Sequence, residues 1–214
     1  MNIGSINRVF RREFRSAARM RPRTGAVLAV LTLAGSAALT GGVAQADTTA
    51  PYANGVSIDA GGAASGGFIA DTDYTPSLTD TLPSGVDSDP NFPATVANPI
   101  PAAVWDSQRY LETNYTIPGF TPGASYQVRL YFMDWYFTSP GQREFDVDIN
   151  GTPVLTDFDV IGTADAAGAD GQEAFGVERD FTVDADSTGT IAIDFIQGSA
   201  NQPLVNAIAV VPSS

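Results

Sequence analysis

The chain has 214 residues, with 11 arginines and lysines against 24 acids and a formal net charge of −13. It contains no cysteine and no histidine, which excludes disulfides, thiol chemistry, Ser-His-Asp catalysis, His-ligated zinc or copper sites and imidazole acid–base chemistry. Such acidity also makes nucleic acid and anionic membrane surfaces poor partners.

Residues 1–46 read as an export leader. Seven arginines (Arg8, Arg11, Arg12, Arg15, Arg19, Arg21 and Arg23) precede a charge-free run over residues 24–46 that ends in Ala44-Gln45-Ala46. These are the charged, apolar and small-residue cleavage zones of such a leader. The run is also long enough to span a bilayer, but its Gly, Ala and Thr content favours cleavage. Arg11-Arg12-Glu13-Phe14 resembles a twin-arginine signal, with Phe10 where Ser or Thr is usual. Residues 47–214 then hold four arginines, no lysine and 23 acids, a balance of −19. Lysine-free acidity suits a surface that stays hydrated at high salt, and a halophilic origin is the expectation. An arginine-biased genome is the alternative.

The remaining 168 residues fit one domain with its own core. Residues 47–55 read as a linker, and the domain occupies 56–212. A first strand over 56–59 ends at Gly61-Gly62. Residues 63–103, rich in Pro, Gly, Ser, Asp and Thr, read as a long irregular segment covering one end of the fold. Strands follow at 113–117, 126–135, 144–149, 154–160, 177–183, 190–196 and 204–211, and no helical period stands out. Asn150-Gly151 is the pair best suited to a two-residue hairpin turn. The pattern predicts an all-β, two-sheet antiparallel sandwich of jelly-roll type.

The strand over 126–135 runs into three adjacent aromatics, Trp135, Tyr136 and Phe137. A half-buried strand hides only alternate side chains, so ring surface is left at its end. Ser139-Pro140-Gly141 is expected to turn it into a hairpin with 144–149. Exposed rings on such a support suit a ligand with an apolar face and a hydroxylated edge, as a sugar has. Tyr136 and Phe137 are the candidates, and Trp135 is read as core or edge packing. The loop over 198–203 is expected beside them. In Trp105-Asp106-Ser107-Gln108-Arg109-Tyr110, Arg109 is read as a loop brace.

Three signals are set aside. Asp184-Ala185-Asp186 opens like a calcium loop, but Phe195 stands where its bidentate Glu is required. The pairs Asp146/Asp148 and Asp157/Asp159 suggest glycosidase carboxylates, yet they alternate on strands as solvent-facing residues do. The sequons at Asn114 and Asn150 carry no further reading, the second being a turn.

The segments IDAGG (58–62), FIADTDY (68–74), WDSQRY (105–110), FMDWYF with GQREFDVDING (132–137 and 141–151), FDV (158–160) and GSANQPLVNAIAV (198–210) together resemble the malectin family of carbohydrate-binding β-sandwich modules. The resemblance implies sugar contact by Tyr136, Phe137 and Tyr110, with Asp59, Asp71 and Tyr74 in the neighbouring loops. Asp59 stands where the family usually has Asn, and Asn201 where it has an aspartate. An amide both donates and accepts, whereas a carboxylate only accepts, so the sugar preference is not expected to carry over intact.

The expectation is therefore a secreted, non-catalytic module. It would bind a glucose-containing oligo- or polysaccharide through an aromatic rim, without cofactor or metal. A protein-binding or adhesion module at the cell surface is the alternative.

Overall fold

A computed structural model describes residues 50–169 and 174–213; the leader expected at 1–46 lies outside them. In chain order the strands are β1 (Val56–Asp59), β2 (Ile69–Ala70), β3 (Leu78–Thr81), β4 (Ser88–Asp89), β5 (Ser107–Tyr110), β6 (Thr113–Ile117), β7 (Ser125–Met133), β8 (Glu144–Ile149) and β9 (Thr152–Phe158). Helix α1 (Val160–Ala166) follows, then β10 (Ala174–Asp184), β11 (Ile191–Ala200), β12 (Leu204–Val205) and β13 (Ala207–Pro212).

The strands form a six-stranded sheet β2-β1-β13-β7-β10-β4, a four-stranded sheet β6-β11-β8-β9 and a small sheet β12-β5-β3. The first two face each other as the expected sandwich. Strict alternation along β8, whose Phe145, Val147 and Ile149 are buried, sends every second side chain inward. Phe132 of β7 meets Phe145, Phe158 and Phe195 at ring-centre distances of 5.6, 5.1 and 6.4 Å. These four rings join the two large sheets. Asn150 and Gly151 take φ of 51° and 72° in the β8–β9 turn, the left-handed geometry that this pair was expected to supply.

Four details differ from the sequence reading. First, β7 and β8 are not a hairpin: they belong to different sheets, and residues 134–143 cross from one to the other. Second, residues 63–103 are not a cover for one end. Val96 and Ile100, with Val104 and Trp105 just after them, pack with Tyr131, Met133 and Ala209, so the segment, with its C-terminal end, buries the outer, apolar face of the six-stranded sheet. It also contributes β2, β3 and β4.

Third, α1 was not foreseen. Asp159 caps it, accepting from the Gly162 N–H at 2.8 Å, and this local bond starts a helix that periodicity does not announce. Fourth, the strand expected over 204–211 breaks at Asn206, which is fully buried. Its amide accepts from the Met133 N–H at 2.7 Å and donates to the Ser107 carbonyl at 2.9 Å, stitching β5 to the six-stranded sheet.

The start of the domain is also held in place. Tyr52 donates its N–H to the Gly119 carbonyl at 2.7 Å and packs its ring 6.0 Å from Phe120.

Candidate functional site

The crossing segment 134–143 carries the aromatic run, and its conformation rests on one acid. Asp134 and Arg143 are both buried, and Nε of Arg143 donates to Oδ2 of Asp134 at 2.7 Å. The other oxygen, Oδ1, accepts from the N–H groups of Tyr136 and Phe137 at 3.0 and 3.2 Å. The carboxylate therefore turns the chain just after β7, so that Trp135 goes inward and Tyr136 outward. Trp135 is 8 % exposed and Tyr136 74 %. Phe137 is half-buried, with its ring 4.9 Å from that of Tyr136 at 90° and 5.1 Å from the Arg143 guanidinium. Arg143 also donates through Nη1 to the carbonyl of Gln202. One ion pair thus positions both the aromatic segment and the 201–203 loop.

Between them lies a cavity of about 340 Å³ lined by Asp80, Tyr110, Leu111, Tyr136, Arg143, Asn201 and Gln202. Strand alternation places Tyr110 on its wall. Its neighbour Arg109 projects to the opposite side of the small sheet. Leu111 and Asn201 take φ of 74° and 59°, a left-handed backbone that costs a branched residue such as leucine about 1–3 kcal/mol and is found where a surrounding structure holds it in place. The Leu111 N–H donates to the Pro203 carbonyl at 3.1 Å, which ties these two bends together. Asn201, on the cavity wall, spends its Oδ1 on the Gln202 N–H at 2.8 Å.

The expected site residues divide into two groups. Tyr110, Tyr136 and Asn201 meet at the cavity, with Phe137 bracing Tyr136. Asp59, Asp71 and Tyr74 lie elsewhere, in a polar knot around Arg109. Asp71 pairs with Arg109, whose Nε donates to it at 2.8 Å, and it accepts from the Gly61 N–H at 2.7 Å and the Tyr115 hydroxyl at 2.8 Å. The Tyr74 ring lies under that guanidinium at 3.5 Å. Burial pulls Arg109 down, but the Asp71 carboxylate and then Tyr115 together offset it, and the net shift is upward. Burial drives Asp59 above the usual carboxylate range; the Ser107 hydroxyl, donating at 2.6 Å, opposes this, and Asp71 and Asp106 add to it. Arg109 is the brace that its sequence context suggests.

Of the acid pairs that suggested a glycosidase, Asp146 and Asp148 alternate on the outer face of β8 and Asp157 is exposed on β9, as read from sequence, while Asp159 lies past the strand end. Asp159 caps α1 and accepts from the Gly141 N–H at 2.6 Å. Asp146 accepts from the Asp157 N–H at 2.7 Å, and Asp157 from that of Ser199 at 3.0 Å. Asp186 closes its own turn by accepting from the N–H groups of Thr188 and Thr190 at 2.7 and 2.9 Å. Among the described residues no group of three His, Cys, Asp or Glu side chains could hold a metal ion, and no helix is long and apolar enough to cross a membrane.

Asp80, Leu111, Asp134, Arg143 and Gln202 were absent from the candidates drawn from sequence. For one of them a signal existed: Arg143 is one of only four arginines in residues 47–214, and a scarce cation beside an aromatic run is a candidate anchor.

Residues 55–208 match the sequence profile of the malectin domain. No curated protein matches. Among solved structures the chain is similar to the ANX2 ectodomain from Arabidopsis thaliana, at 13 % identity and a TM-score of 0.62, with 74 % of this chain and 50 % of that one covered. It is similar, too, to a chain of the complex of the plant peptide RALF23 with FER and LLG2, at 14 % identity and a TM-score of 0.61, covering 73 % and 48 %. A calcium-binding mutant of Bacteroides uniformis beta-glucuronidase 2 matches at 12 % identity and a TM-score of 0.51, covering 75 % of this chain but 18 % of that one. The chain thus spans about half the length of the plant ectodomains it matches. These matches correct two expectations. A carbohydrate partner and a lectin-like character give way, because the similar plant structures are ectodomains of receptor-like kinases, one of them solved with a peptide. The halophilic reading finds no support among them and is dropped.

Proposed function

Since this chain belongs to the malectin domain family, we propose that it is a non-catalytic extracellular or cell-surface module that docks a protein or peptide partner at the Tyr136 end of its sandwich. The observation that carries this reading is the 74 % exposed Tyr136 ring, held on a buried ion pair beside the cavity. Large exposed aromatics are enriched at protein interfaces, where one rigid ring contributes contact area at little entropic cost. Here the ring sits next to polar atoms of Asn201, Gln202 and Asp80, a pattern of apolar anchor and polar rim. The peptide-bound structure among the similar ectodomains supports the same choice of partner class. Delivery outside the cell would rest on residues 1–46 acting as an export leader.

Panning a random displayed-peptide library against the full chain tests the reading. Wild type should enrich binders that Tyr136→Ala and Tyr110→Ala fail to hold. Enrichment that is absent, or equal for wild type and both variants, overturns it.

A further inference from the structure

Strand β3 sits at the rim of the cavity with one edge unpaired. It pairs only with β5, Leu78 opposite Tyr110 and Asp80 opposite Gln108, and all four of its residues are exposed. The Leu82 N–H donates to the Asp106 carbonyl at 2.9 Å, so Leu82 points its backbone groups at β5. Antiparallel alternation then directs Leu78 and Asp80 to β5 as well, and turns the backbone groups of Thr79 and Thr81 outward. The Thr81 N–H is taken by the Asp80 carboxylate at 2.8 Å. Among the described residues, the Thr79 N–H and the carbonyls of Thr79 and Thr81 have no strand beside them.

We propose that β3 is where the partner adds, as an extended segment carrying lysine or arginine that extends the small sheet by one antiparallel or parallel strand. The proposal rests on reading the cavity as a docking site. Main-chain bonds to Thr79 and Thr81 supply affinity, and alternate side chains of the incoming strand fall on the face of Leu78 and Asp80, towards the Tyr136 ring.

The charge of the occupant follows from the edge itself. Asp80 and Asp106 are exposed there, while the cations near them, Arg109 and Arg143, are buried in ion pairs. A second copy of this chain, with its balance of −19 over residues 47–214, is repelled from such an edge. Carboxylates on a short edge strand thus guard against self-pairing and select a basic strand.

The test uses the full chain and two capped ten-residue peptides, one alternating lysine with valine and one alternating glutamate with valine. Fluorescence anisotropy should show binding of the lysine peptide, weakened by added salt, and none of the glutamate peptide. Thr79→Pro removes the outward N–H and leaves the bonds to β5 in place; it should weaken binding at least tenfold. Amide hydrogen exchange on wild type gives a second readout, independent of how the proline variant folds: the Thr79 N–H should slow when the lysine peptide is bound. Unchanged exchange at Thr79, or equal binding by wild type and a folded Thr79→Pro variant, overturns strand addition. If Tyr136→Ala still weakens the peptide in that case, the docking site stands without it. Binding of neither peptide, or of both equally, overturns the proposed partner chemistry.

Discussion

Arg143 reaches Asp134 at 2.7 Å inside the protein, and through this contact a buried charge pair sets the direction of an exposed ring. One oxygen of Asp134 neutralises the guanidinium, and the other holds the N–H groups of Tyr136 and Phe137. The backbone can change direction after β7 without leaving those donors unpaired, a requirement for any buried turn. Rigidity at the base of the rim is what the proposed docking role of a single exposed tyrosine requires.

Breaking that pair should be costly. Arg143→Ala or Asp134→Ala leaves a lone charge in a buried site and should destabilise the fold by about 3–5 kcal/mol. Urea unfolding monitored by tryptophan fluorescence would measure it. In the Asp134 variant, amide exchange at Tyr136 and Phe137 should also quicken, because their acceptor is gone. A loss below about 1 kcal/mol would show that the pair does not support the segment.

The two neighbouring rings should separate binding from stability. Tyr136→Ala removes mostly solvent-exposed surface, so its melting temperature should stay within about 2 °C of wild type, while partner binding falls. Phe137→Ala removes a half-buried ring that covers Arg143, and should cost about 1–2 kcal/mol in stability. Thermal melts of both variants, read beside their behaviour in panning, give the comparison.

Asn206 should tolerate little. Its side chain pairs with Met133, Ser107 and Trp105 backbone groups at zero exposure. Asn206→Ala leaves the Met133 N–H and the Ser107 carbonyl unpaired, and should cost about 2–4 kcal/mol at roughly 1–3 kcal/mol per buried group. Asn206→Asp should be no better, since a carboxylate would face carbonyl oxygens. The shift in urea midpoint is the measurement.

Asp180 predicts a pH effect. Loss of hydration, then the Glu178 charge and hydrogen bond, push its carboxyl up to about 6 although the residue stays exposed on β10, and Arg129 only partly opposes this. The native state therefore binds more protons than the unfolded chain between about pH 4 and pH 6, and its stability falls as pH rises through that window. Asp180→Asn removes the effect. The variant should melt about 2 °C above wild type at pH 7, a shift kept small by solvent screening, and the difference should shrink to nothing near pH 4. A constant difference across that range would show that Asp180 is not the titrating group.

Some elements were legible because the information lies within a few residues. Alternation along β8 and the Asn150-Gly151 turn are local, and the structure follows both. Helix α1 was hidden because VIGTADA carries no apolar period; its start depends on Asp159, whose capping role shows only once the chain has turned there. Strand β3 was hidden for the opposite reason: it is exposed at every position and has no face to pattern. At the site, Tyr110, Tyr136 and Asn201 could be chosen from sequence, but Asp134 and Arg143 could not. Two charged residues nine positions apart read as surface until their pairing removes them from water.

The sequence alone determined the all-β sandwich and the chemistry unavailable to it, because alternation and residue composition are properties of short segments and of counts. It also marked the aromatic run. Tertiary structure decided which ring stays outside, which acids are spent on structure and which strand edge remains open. Those outcomes depend on pairings between residues far apart in the chain: Arg143 with Gln202 and Asp71 with Arg109, and a β7 that joins β10 and β13 instead of β8. No local pattern encodes such pairings, since each is selected by the burial and hydrogen bonding of the whole fold.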